Sequence, residues 1–183
     1  SPPPMFIISI DFNVSSFKTS LIASFNDHSL MFWVFLWKWT PNFSILGFPS
    51  FHDDKKGSVR GKNTIYVFEI DGLRIAHLGD LGHALSEELI EDLGDIDILM
   101  VPVGGEYTIG PNEAANVVSA IEPTIVIPMH YQMPGLKPET FSKLTPVDSF
   151  LKEVGLTSEN LPKLVVKKEE LGEDKKVVVL EKR

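Results

Sequence analysis

A chain of 183 residues, 23% charged and 43% apolar, has the make-up of a globular domain with enough material for a core. It contains no cysteine, which excludes a disulfide framework, a cysteine nucleophile and any thiolate metal site, and leaves His, Asp and Glu as strong ligands. The net charge of −8 argues against a broad nucleic-acid footprint.

The first 51 residues are unlike the rest. Their charges, Asp11, Lys18, Asp27 and Lys38, cancel, so the whole −8 belongs to residues 52–183. Twelve of the eighteen aromatics fall in the front, Trp33, Trp37 and Trp39 among them. The longest apolar run, residues 30–37, spans eight positions and ends at Lys38. A membrane span needs ~20. No basic stretch with a small-residue cleavage site marks a secretory signal. This front reads as a few apolar β-strands or a poorly ordered appendage. The expected division is residues 1–42, an aromatic, Ser-rich segment not native to the fold, and residues 43–183, the readable domain. The expected location is cytoplasmic, with no membrane partner and with self-association through the apolar front.

From residue 43 the punctuation is regular. Residues 63–70 are β-branched and aromatic, Asp71-Gly72 is a hairpin turn, and residues 73–78 return as a second strand. Ser86 is an N-cap for a short helix over 87–93, closed by Gly94. Residues 96–103 and 124–129 are nearly all apolar, as strands buried on both faces are. Between them a helix begins at Pro111 and runs to residue 121. A further helix covers 146–154 and stops at Gly155. Residues 163–168 and 175–181 flank Leu171-Gly172-Glu173-Asp174 and predict a terminal hairpin. The class is α/β.

Chemistry-bearing residues recur at strand ends. His52 follows the apolar stretch 43–51, Asp80 and His83 follow the strand ending at Leu78, and His130 follows the strand ending at Met129. In an α/β sheet that edge is where sites are built. Taken singly, each has a structural reading. A His after a strand serves as a hydrogen-bonding loop residue, Gly-Asp-Leu-Gly is a turn in which Asp bonds its own backbone, and His77 sits inside a strand. Their convergence points to a site. A carboxylate between glycines, with imidazoles nearby, is ordinary zinc chemistry.

Five stretches in order carry a family resemblance. They are Pro49-Ser-Phe-His-Asp53, Gly61-Lys-Asn-Thr64, Asp71-Gly-Leu-Arg-Ile-Ala-His-Leu-Gly-Asp-Leu-Gly-His83, Asp97-Ile-Leu-Met-Val-Pro-Val-Gly-Gly105 and Ile127-Pro-Met-His-Tyr131. Together they resemble the metallo-β-lactamase superfamily, in its branch of small metal-dependent hydrolases similar to ascorbate-6-phosphate lactonase. The resemblance implies an αββα sandwich, two zinc ions per site and a metal-bound hydroxide attacking an ester, lactone or phosphoester of a small, anionic substrate. It implies His52, Asp80 and His130 as metal ligands, with Asp80 bridging. It gives Asp53 and His83 roles beside Asp80, orienting ligands or touching substrate. Arg60 and Lys62 read as solvated loop charges, with an anionic substrate as their alternative partner.

The family's H-x-H-x-D-H string, source of most of its ligands, does not occur here; Asp27-His28 is the nearest approach. The expectation is therefore the C-terminal part of the sandwich, its N-terminal half missing or replaced. Zinc would be partly bound or absent, and hydrolysis impaired. The alternative is a non-catalytic remnant or interaction module that keeps half of the fold. Nucleic-acid processing on the same fold is disfavoured by the acidic charge.

Overall fold

The computed structural model describes residues 7–14, 17–24 and 43–181. Most of the 1–42 segment, including Asp27-His28 and the three tryptophans, lies outside the described residues. Two strands in it, β1 (Ile7–Val14) and β2 (Phe17–Ser24), pair antiparallel.

Seven strands form one sheet. They are β3 (Phe43–Phe51), β4 (Lys62–Ile70), β5 (Leu73–His77), β6 (Ile98–Pro102), β7 (Ile125–Met129), β8 (Thr157–Leu161) and β9 (Lys176–Leu180), in the spatial order β3-β4-β5-β6-β7-β9-β8. The β4–β5 hairpin turns at Asp71 and Gly72, both with positive φ, as a tight primed turn requires. β5, β6 and β7 run parallel, and β3 points the same way because two antiparallel pairings separate it from β5. The C-terminal ends of β3, β5, β6 and β7 therefore share one edge.

Among the described residues are four α-helices, α1 (Glu87–Leu93), α2 (Pro111–Ile121), α3 (Pro138–Phe141) and α4 (Val147–Val154). The Ser86 hydroxyl accepts from Leu89 N, capping α1 as its sequence predicts and contributing about 1 kcal/mol. The apolar faces of α1, α2 and α4 cover one side of the sheet. Leu93, Ala114, Val118 and Phe150 meet Leu99, Val101 and Val126 there. β6 and β7 are buried at every position, and their alternate residues (Ile98, Met100, Ile125, Ile127) feed a second cluster on the opposite face. A run of apolar side chains with nowhere to face water suits a central parallel strand.

One element differs from expectation. Residues 163–168 do not form a hairpin with β9; β9 pairs in parallel with both β7 and β8. The 163–168 stretch instead buries Leu164 and Val166 in the second cluster. Alternating apolar residues read alike whether a segment joins a sheet edge or lies across a sheet face. β8 itself is polar and half-exposed, with no apolar alternation to betray it.

Candidate metal centre

The shared sheet edge collects the predicted residues. Asp80 leaves the end of β5, His130 the end of β7 and His52 the end of β3. Two close backbone approaches set their placement. Gly104, just past β6, lies so near His130 that a Cβ there would sit 1.9 Å from the His130 carbonyl oxygen. Gly82 would meet the His52 carbonyl carbon at 2.3 Å, and its N–H donates to the Phe51 carbonyl. Only glycine fits either place.

His130 is one of four described non-glycine residues with positive φ, at 55°. Such a backbone costs of order 1–3 kcal/mol and persists where the surroundings hold it. Here it turns the imidazole back over the sheet edge, bringing Nε2 to 3.4 Å from Asp80 Oδ1. That is long for a hydrogen bond. Two donors ~2.0–2.1 Å from a tetrahedral zinc would stand ~3.3 Å apart, so the spacing suits two ligands of one ion. Both side chains remain partly open to solvent.

His52 Nε2 is buried without a hydrogen-bond partner, a costly state for a ring nitrogen unless something is meant to meet it. Among the described residues, however, no group of three or more His, Asp or Glu converges on one point. In kind and spacing the Asp80–His130 pair fits a divalent metal as part of its ligand set; a full set is not assembled there.

Asp53 and His83 are both bonded to backbone. The Asp53 carboxylate is buried and accepts four backbone N–H groups, from Lys55, Gly57, Val59 and Arg60 at 2.7–3.0 Å. The Arg60 amide, with help from the other three, outweighs burial and holds its pKa down at about 2. Through these four bonds Asp53 organises the 53–61 loop. Stability from this group is present above the ordinary carboxylate pKa of 3.8 and lost as pH falls towards 2. Thermal unfolding of the wild type and of Asp53→Asn should therefore differ most above pH 4, with the gap closing towards pH 2. A constant gap would contradict it.

His83 is likewise occupied by backbone. Its Nε2 accepts from Phe51 N at 3.1 Å, and its Nδ1 lies 2.7 Å from the Ala84 carbonyl, to which it donates. Those two bonds fix the neutral Nδ1–H tautomer and tie the end of β3 to the loop after Asp80. His77, read as structural, is buried and accepts from Gly79 N at Nδ1; burial, and then His130 nearby, push its pKa down to about 4.

Arg60 reaches across to the Glu106 carbonyl and packs 5.7 Å over the Tyr107 ring, so it is not a freely solvated charge. Asn63 lies in the Gly61-Lys-Asn-Thr64 stretch of the resemblance, which assigns it no role of its own, and asparagine is depleted in strands. Its Nδ2 donates to the Ser50 hydroxyl and the Leu78 carbonyl, each at 2.8 Å, and its Oδ1 accepts from Asp80 N at 3.1 Å.

Residues 38–130 match the family model described as the beta-lactamase superfamily domain, a stretch that contains His52 and Asp80 and ends on His130. The chain belongs to this superfamily. Among its curated relatives, a metal-dependent hydrolase of Thermococcus onnurineus is 40% identical over 105 residues, covering 55% of this chain and 47% of the relative. One of Caldivirga maquilingensis is 39% identical over 100 residues, covering 53% and 42%. A solved Thermotoga maritima structure, described as a candidate Zn-dependent hydrolase of the metallo-β-lactamase superfamily, aligns with TM-score 0.61 and 41% identity. That alignment covers 75% of this chain and 64% of the other. The superfamily fold accounts for the mixed sheet with its helices. The chain spans about half the length of the curated relatives it matches.

Proposed function

We propose that this chain is the metal-binding C-terminal part of a metal-dependent hydrolase acting on an ester, lactone or phosphoester. The observation that carries the reading is the Asp80–His130 pair, 3.4 Å apart on the edge where four strand ends meet. The names of the relatives and the partnerless His52 nitrogen support it. Asp80 and His130 would hold a divalent ion, zinc by ligand type. A bound ion supplies Lewis-acid activation of water and of the scissile group's oxygen. The chain's own residues orient the ligands: the strained His130 backbone aims its ring, and glycines at 82 and 104 let the strand ends close in.

A second reading, a non-catalytic remnant that serves as an interaction module, is favoured by the lack of a three-donor group among the described residues. Equilibrium dialysis with zinc or manganese, paired with turnover of a generic phosphodiester and a lactone, separates the two. The hydrolase reading expects weakly held metal that a chelator removes and His130→Ala loses, together with slow hydrolysis. No retained metal and no turnover at any metal concentration would leave the second reading.

A further inference from the structure

We propose that Asn63 is a positioning residue that sets Asp80 and locks its loop to the strand end carrying His52. The inference rests on the metal-site reading, because Asp80 matters through its place in that site. Three bonds from one amide group converge. The Leu78 carbonyl can only accept and the Asp80 N–H can only donate, so the orientation of the Asn63 amide is set by its partners. Its remaining N–H reaches the hydroxyl of Ser50, a buried residue directly opposite it in the β3–β4 register and two positions before His52.

The loop depends on this contact at a second point. Gly79, between the two bonded backbone groups, has φ of +59°, and a Cβ there would stand 2.5 Å from Asn63 Oδ1. The backbone thus wraps closely round the amide. Without it, Leu78 O and Asp80 N lose their side-chain partner just where the strand ends, and the turn that presents the Asp80 carboxylate is free to relax. No other standard side chain of this size offers two donors and one acceptor from a single planar group.

Amide hydrogen exchange tests the proposal on the full chain, with Asn63→Ala compared against Ile65→Val, a core change on the same strand. The Asp80 amide should exchange at least ~10-fold faster in Asn63→Ala and be unchanged in Ile65→Val. Cobalt(II), used as a spectroscopic probe, should bind Asn63→Ala roughly 10–100-fold more weakly, with an altered visible spectrum. Asn63→Asp sets a carboxylate oxygen against the Leu78 carbonyl, two acceptors, so it should not restore the protection lost in Asn63→Ala. An Asp80 amide equally protected in Asn63→Ala, or cobalt bound equally by both chains, overturns the proposal. If Asn63→Ala does not fold, Ser50→Ala removes one anchor and should move the Asp80 amide in the same direction; no movement overturns it. A wild-type chain that binds no cobalt, while Asn63→Ala still exposes the Asp80 amide, sinks the metal reading and leaves the positioning role standing.

Discussion

Replacing Asp80 with alanine is expected to leave the fold within about 0.5 kcal/mol of its original stability while removing metal binding. The side chain is 44% exposed, and the bond from its backbone N–H to Asn63 survives the substitution. What disappears is one of two donors set at the separation a single ion would need. On the proposed hydrolase reading, hydrolysis should fall by about 10³-fold or more, since Lewis-acid stabilisation is worth several kcal/mol and each 1.36 kcal/mol is tenfold. Denaturant unfolding, zinc titration and turnover on the same preparations check the three parts together. Stability preserved with zinc affinity unchanged would remove Asp80 from the ligand set.

Gly104→Ala should show the opposite balance. Its side chain would enter the space of the His130 carbonyl at 1.9 Å, and that neighbour is backbone, held at the end of a buried strand. One of two things must move: the strand end after β6 or the His130 turn. Overpacking of this kind costs about 3 kcal/mol. A shifted His130 also loses its spacing to Asp80, so metal affinity should drop roughly 10–100-fold, as for the loss of a supporting contact. Denaturant midpoints and zinc titration measure both. A variant with wild-type stability would show that the two segments are not in tight contact.

Local chemistry makes much of this protein legible. The β4–β5 turn at Asp71-Gly72, the Ser86 cap, the stops at Gly94 and Gly155 and the two fully apolar strands β6 and β7 depend on near neighbours and on burial, which composition and spacing carry. The placement of His52, Asp80 and His130 after strands is legible for the same reason. β8 and the 163–168 stretch are not. A polar edge strand has no apolar period, and a segment crossing a sheet face shares its alternation with a strand.

The roles of the residues around the site depend on contacts between distant segments. The sequence places Asp53 beside a metal-ligand candidate, but not the four backbone amides of its own loop that bond its carboxylate. That the His83 Nε2 accepts from Phe51, 32 positions away, is visible only in the folded chain. Asn63 belongs to a motif stretch, but its role becomes visible only when the sheet sets it beside Ser50, Leu78 and Asp80. Residue types and strand ends thus follow from the chain itself, because propensity and burial act over short spans. Which carboxylate faces solvent and which is consumed by backbone follows from folding, because a hydrogen bond is decided by what arrives across the sheet.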